Sequence, residues 1–442
     1  MTCRSEFPQS LTCTQKGTGV SSSPPRNDAL VITGLGVVAP NGIGKDAFWH
    51  NCLSGLSGIR PITLFDPSDY RCQYAGQISE WHPDTYLGPK GLRTLDRTTS
   101  LALVATHFAM QDAKLELDET SCETVGVVLG STMGSLRSIS EFDLDGLRDG
   151  PRYVNPALFP NAVINSPASQ VAIRFGLRGP NATVATGFTA GLDALGYAMA
   201  LLRLGRLRAV LVGAVEELCL PTFLGFHLLG LLAITHTGSL PPYAPYQASG
   251  DGAILGEGAA CFVLERLEDA RQRGASPYTE LLSYSTAFHR ASLYDHDPEA
   301  TSAVQATRQA LREAGVSADE IDCIGTGANG IQAADAMERV AIQAVFGDRA
   351  VPQPVSAVKT LLGESFSAAG ALQVAAMVGT FVCQQVLSPV LETAHVRSTT
   401  RDDEGMTHHQ IRTALIQTCG LIGISSAVVL RSLSEPHQAA SP

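Results

Sequence analysis

Gly179-Pro180-Asn181-Ala182-Thr183-Val184-Ala185-Thr186-Gly187-Phe188-Thr189-Ala190-Gly191-Leu192-Asp193-Ala194 is the stretch from which the fold is read. Residues 182–185 form a short strand-like run, and a helix is expected from residue 191 to 204. A second strand-like run, Arg208-Ala209-Val210-Leu211-Val212-Gly213, follows it. Strand, helix and strand in direct succession are the unit of α/β layering, in which helices cover sheets.

Towards the N-terminus, Glu123-Thr124-Val125-Gly126-Val127-Val128-Leu129-Gly130 reads as a buried strand, and helical spacing of apolar residues predicts a helix over 95–114. The first ordered element is a strand, Ala29-Leu30-Val31-Ile32-Thr33, expected to stop at the glycine turn Gly34-Leu35-Gly36. No third glycine and no downstream ribose-binding acid follow in order, which argues against a dinucleotide cofactor. Towards the C-terminus, after a link at 270–277, the pattern begins again. A strand is expected at 278–284, a helix at 300–314, a strand at 321–324, a buried helix at 367–384 and a last strand at 427–431. No residue-level repeat is legible, so duplication rests on the pattern alone. The expected organisation is a flexible tail over 1–28, an N-terminal half over 29–275, a C-terminal half over 276–434 and a short tail over 435–442.

With 442 residues, 45% of them hydrophobic and 17% charged, the chain can bury a large core and is not a disordered polymer. A formal charge of -11 argues against a broad nucleic-acid or anionic-membrane surface, since both need clustered Lys and Arg. It would also repel an acidic carrier protein at long range. The basic run from Arg203 through Arg206 to Arg208 reads as a solvated helix end. The ten cysteines are scattered without a C-x-x-C pair or zinc-like spacing, so no metal, no cofactor and no disulfide framework is expected, and the thiols fit the cytoplasm. The apolar stretch 368–383 contains Gln373 and is too short for a bilayer, so it reads as a fully buried helix.

Four ordered segments resemble the β-ketoacyl synthases of fatty-acid and polyketide assembly. Val31-Ile32-Thr33-Gly34-Leu35-Gly36-Val37-Val38-Ala39-Pro40-Asn41-Gly42 resembles their opening strand, and Asp251-Gly252-Ala253-Ile254-Leu255-Gly256-Glu257-Gly258-Ala259 their D-G-x-x-x-G-E-G-A signature. The run from Gly179 to Ala194 resembles the nucleophile elbow, and Val358-Lys359-Thr360 to Ala368-Ala369-Gly370-Ala371 the K-x-x-x-G-H-x-x-x-A-A-G block. The resemblance implies an α/β thiolase-like fold, two βαβ-rich halves in a five-layer αβαβα arrangement, and a dimer whose interface includes the elbow strand.

A condensing enzyme of this family carries the acyl chain on a cysteine thiolate at a helix N-terminus and uses two histidines on the malonyl thioester. Aligned on these motifs, the Cys position is Phe188, the first His is Gly327 and the second is Glu364. Lys359, Asp335 and Glu338 match retained family positions. Cys419-Gly420-Leu421-Ile422-Gly423-Ile424-Ser425 resembles the gate loop, with Leu421 in place of Phe and Ile422 in place of Gly. The helix starting near Leu136 corresponds to the family's gating helix; Leu136, Ile139 and Asp143 share one of its faces and are candidate tunnel-end residues. Phe188 reads either as a space-filling core aromatic or as a plug shaping a shared cavity. For Glu364 the options are an ion pair with Lys359, an outward rotamer or a replacement acid or base.

Loss of the Cys and both His resembles the chain-length factors of type II polyketide systems, with Phe where many members have Gln. The resemblance implies a catalytically silent chain that heterodimerises with an active ketosynthase, meets acyl carrier protein through that complex, and helps set chain length. The alternative is an acyltransferase or malonyl decarboxylase with a relocated nucleophile, drawn from Thr186, Thr189, Cys323 or Cys419.

Overall fold

A computed structural model describes residues 28–235, 252–289, 296–347, 355–387 and 410–433. The expected tails, Asp28 excepted, and Asp251 of the glycine-rich signature lie outside the described residues. The strands are β1 (Leu30–Ala39), β2 (Gly42–Ile43), β3 (Ile59–Pro61), β4 (Tyr74–Gly76), β5 (Val125–Gly130), β6 (Asn181–Val184), β7 (Ala209–Glu216), β8 (Gly258–Arg266), β9 (Thr279–Phe288), β10 (Cys323–Gly325), β11 (Val355–Ser356), β12 (Thr413–Cys419) and β13 (Ile424–Ser432). The helices are α1 (Lys45–Leu53), α2 (Asp84–Leu87), α3 (Arg97–Asp112), α4 (Leu136–Asp149), α5 (Ser166–Phe175), α6 (Ala190–Arg203), α7 (Leu220–Leu228), α8 (Leu267–Gln272), α9 (Thr301–Ala314), α10 (Gln332–Phe346), α11 (Lys359–Leu362) and α12 (Ser367–Cys383).

The strand order carries a duplication that the residues hide. In the N-terminal half the order is β6-β5-β7-β8-β1, with β6, β5 and β7 mutually parallel and β8 and β1 antiparallel to their neighbours. In the C-terminal half it is β11-β10-β12-β13-β9, with the same sequence of parallel and antiparallel pairings. A two-residue antiparallel contact, Val31 with Glu280 and Ile32 with Thr279, joins the halves through β1 and β9. The helices obey the same correspondence: α3 and α9 each follow the first strand of their half, and α6 and α12 each follow the third.

Packing turns this order into layers. α3 and α5 cover the outer face of the N-terminal sheet, and α9, backed by α10, covers that of the C-terminal sheet. Between the sheets lie α6 and α12, which touch each other and strands of both halves. This is the thiolase-like arrangement of helices and sheets. From Ser367 through Phe381 every residue of α12 is buried, which is why its sequence is apolar all round. Each buried Leu, Val, Met or Phe side chain there contributes about 1.5–3 kcal/mol.

The first strand corrects the sequence reading. β1 does not stop at Gly34-Leu35-Gly36 but runs through both glycines to Ala39, buried throughout. The glycines serve close approach, since a Cβ at Gly34 would lie 2.5 Å from the Ala109 carbonyl oxygen and one at Gly36 2.0 Å from that of Ala105, both on α3. The strand expected from residue 123 begins at Val125, after a 3-10 turn over Ser121–Thr124. β9 continues past the expected end to Phe288, and β13 starts earlier than expected, at Ile424.

Candidate functional site

The two central helices bring their N-termini together at one place. β6 leads through Thr186 into a 3-10 turn, Gly187–Thr189, and then α6; a left-handed Gly187, φ 79°, makes that turn. At the equivalent place in the other half, Phe366 precedes α12 with φ 52°. The backbones touch here: a Cβ at Gly191 would lie 2.2 Å from the carbonyl oxygen of Ser367.

Phe188 points into an aromatic cluster. Only 6% of it is exposed, and its ring lies 5.2 Å edge-on from Phe366 and 6.3 Å from a stacked Phe226. Phe226 and Phe366 close the triangle at 5.2 Å. Half-buried Leu421, between β12 and β13, packs against the same cluster, whereas Ile422 is exposed. A phenyl ring thus stands at the junction of strand, turn and helix.

The polar half of the site is built around Glu364, which is 0% exposed. One of its carboxylate oxygens accepts from Lys359 Nζ at 2.7 Å and Asn329 Nδ2 at 2.9 Å, and the other from the Phe366 backbone N–H at 2.7 Å. Lys359 Nζ also donates to the Gly327 carbonyl oxygen at 2.7 Å. The Glu364 carboxylate therefore has charge compensation and three donors, which is what a buried ion needs. Gly327 brings no side chain, and a Cβ added there would crowd the Gln417 carbonyl oxygen at 3.1 Å.

Asp335 and Glu338, both on α10 and both buried, hold the intervening loop by its backbone. Asp335 accepts from the Asn329 and Gly330 N–H groups, and Glu338 from the Gly327 N–H and the Thr326 hydroxyl. These acids position the loop that carries Gly327 and Asn329; neither touches Glu364 among the hydrogen bonds above.

The candidate surrogate nucleophiles are poorly placed for attack. Thr186 and Thr189 both donate to Asp193, which also accepts from Tyr284 at 2.8 Å and Ser426 at 2.5 Å. Four hydroxyls share that carboxylate, so neither threonine has a base to itself. Cys323 is buried and Cys419 half-buried, and desolvation pushes both thiols up to about 12, away from the reactive thiolate.

Beside these groups lies a pair of buried acids that the sequence reading did not single out. Burial pushes Glu216 up to about 7 despite donors from Ser131, the backbone of Thr132 and Met133, and Ser367. Burial pushes Glu217 further, to about 8, although it accepts the Arg137 N–H in the first turn of α4 at 3.0 Å. Two consecutive acids closing the apolar run of β7 were the available signal. Asn329 offered none, because an isolated Asn in a glycine-rich loop reads as turn chemistry. On α4 itself, Leu136 and Ile139 are half-buried and Asp143 is exposed; the helix buries no residue fully and packs on α7 and the 3-10 segment Pro156–Ala162.

Comparison with known proteins gives this geometry a family. Residues 27–270 match the model of the β-ketoacyl synthase N-terminal domain, and residues 278–394 that of the C-terminal domain. The tetracenomycin polyketide synthase ketoacyl synthase alpha subunit of Streptomyces glaucescens is 34% identical over 357 residues, covering 78% of this chain and 83% of that protein. The 3-oxoacyl-[acyl-carrier-protein] synthase 2 of Rhizobium meliloti is 32% identical over 418 residues, covering 91% and 98%. Among solved structures, the ishigamide ketosynthase/chain length factor superposes with a TM-score of 0.80 at 26% identity, covering 92% of this chain and all of the matched one. A type II polyketide synthase acyl-carrier protein in complex with its ketosynthase gives 0.81 at 26% identity, with 92% of this chain and all of that chain covered. The two halves that fold alike and meet at Phe188 and Phe366 thus belong to a known lineage, and this chain is a member of the β-ketoacyl synthase family.

Proposed function

We propose that this chain is a non-catalytic, chain-length-factor-type subunit that heterodimerises with an active ketosynthase, meets acyl carrier protein through that complex, and helps shape the acyl tunnel. The observation that carries the reading is the filled reaction centre: a phenyl ring at 188 and a self-paired Glu364–Lys359 where thiolate and imidazole chemistry would be required. Among the described residues of this centre a thioester meets no nucleophile to accept its acyl group, and an enolate no imidazole pair to stabilise it. The likeness to a ketosynthase/chain length factor structure supports the pairing, although the relatives quoted above are named as synthases. The high thiol values at Cys323 and Cys419 weigh against the alternative, an acyltransferase or decarboxylase with a relocated nucleophile.

Co-expression with a cognate active ketosynthase tests the proposal. The expected result is a 1:1 heterodimer burying roughly 2,000 Å² or more, with no acyl transfer by this chain alone. Persistent self-association in the presence of that ketosynthase, or covalent acylation of the isolated chain, would overturn it.

A further inference from the structure

The donors around Glu364 are held in place by groups other than Glu364. Lys359 Nζ is anchored by the Gly327 carbonyl oxygen, and Asn329 Oδ1 accepts from the Ile331 N–H at 3.1 Å, which fixes the orientation of its amide. The Phe366 N–H is set by a left-handed backbone, φ 52° and ψ -118°, locked between α12 and the aromatic triangle. One cation and two N–H dipoles therefore converge on a single point in a dry interior, with Lys359, Asn329 and Phe366 all buried. Such a constellation is complementary to a carboxylate, whichever molecule carries it.

We infer that this pocket is a carboxylate-binding site that the chain fills with its own Glu364 side chain, and that it takes a free formate or acetate once that side chain is shortened. In the intact chain the internal carboxylate closes the pocket to any substrate carboxylate. Glu364 is then an internal ligand of this pocket, a property that holds whether or not the chain pairs with a synthase. Glu364→Ala deletes a methylene and a carboxylate, a volume close to that of acetate, and leaves Lys359 without its counter-ion. A small anion that restores charge and hydrogen bonds stabilises the folded state by mass action.

The test uses the full-length chain without a partner. Thermal unfolding of wild type, Glu364→Ala and the double variant Lys359→Met/Glu364→Ala is followed in sodium formate and acetate against sodium chloride at equal ionic strength. The expected result is a saturating rise in Tm with formate or acetate in Glu364→Ala, absent from the wild type and lost in the double variant. A Glu364→Ala response no larger in formate than in chloride, or one shared by wild type or by the double variant, would overturn the inference. Should Glu364→Ala fail to fold in chloride, its refolding yield supplies the readout. A higher yield in formate than in chloride supports the site, and equal yields refute it.

Discussion

Position 188 holds a phenyl ring, and the consequences of that side chain can be measured directly. Phe188→Cys returns a thiol to the start of α6, where the helix dipole favours thiolate. The expected outcome is slow covalent acylation by a reactive thioester, seen as a mass increment on the isolated chain, without carbon-carbon bond formation. Gly327 and Glu364 supply no histidine, and loss of one oxyanion donor alone slows such reactions by about 10²–10³. Robust condensation by this variant without a partner would refute the non-catalytic reading. Glu217 makes a second prediction at this scale. Burial raises its folded value to about 8, above the ordinary carboxyl, so folding favours its protonated form. Its contribution to stability is complete below about pH 4 and is lost as pH rises towards 8, by up to about 1.4 kcal/mol per pH unit. Urea unfolding from pH 5 to 8, a range of about three units, should therefore show a shallower decline for Glu217→Gln than for wild type. Parallel curves would assign the titration elsewhere.

At the scale of elements, α4 is a helix with an incompletely buried apolar face. It buries no residue fully, and it packs on α7, the Pro156–Ala162 segment and the Glu217 carboxyl at its first turn. Its half-buried Leu136 and Ile139 share one face. Leu136→Phe or Ile139→Trp should shorten the product made by the paired complex while its first condensations continue, because a larger ring removes room from a closed tunnel and overpacking costs about 1–3 kcal/mol. Product profiling by mass spectrometry checks this. An unchanged length distribution from both variants, with the complex intact, would remove α4 from the tunnel. In contrast, α3 is fastened to β1 at backbone contact distance through Gly34 and Gly36, which is why those glycines lie inside a strand and not at its end.

For the molecule as a whole, the duplicated topology ends in an edge strand in each half, β6 and β11, among the described strands. β6 ends the N-terminal sheet, pairing only with β5 among the described strands. On α4 and the segment after it, Leu147 is 83% exposed, Tyr153 78% and Phe159 is largely exposed, although the Phe159 ring meets Phe142 at 6.1 Å. Exposed apolar groups of this size clustered on one stretch of chain fit a subunit interface. Leu147→Asp and Phe159→Asp should weaken association with the ketosynthase by about tenfold or more each, while leaving the Tm of the isolated chain nearly unchanged, since neither residue is in the core. Titration calorimetry or size-exclusion chromatography gives the first quantity and thermal unfolding the second; unchanged affinity in both variants would put the interface elsewhere.

The sequence by itself determined which side chains stand at positions 188, 327 and 364. Identity at Phe188, Gly327 and Glu364 is read residue by residue, and no fold can turn a phenyl ring or a hydrogen atom into a thiol or an imidazole. It also determined the central helices, because α6 and α12 carry apolar residues beyond what an exposed face needs. Only the tertiary structure decided among the options for Glu364, in favour of the ion pair with the nearby Lys359, since it also brings Asn329, 35 residues away, onto the same carboxylate oxygen. It likewise decided that β1 passes through its glycines, that Glu216 and Glu217 are buried acids, and that the two halves share one topology. The physical reason is range. Periodicity and motif spacing report on neighbours along the chain, whereas desolvation, ion pairing and backbone contact depend on residues that meet only after the sheets have stacked.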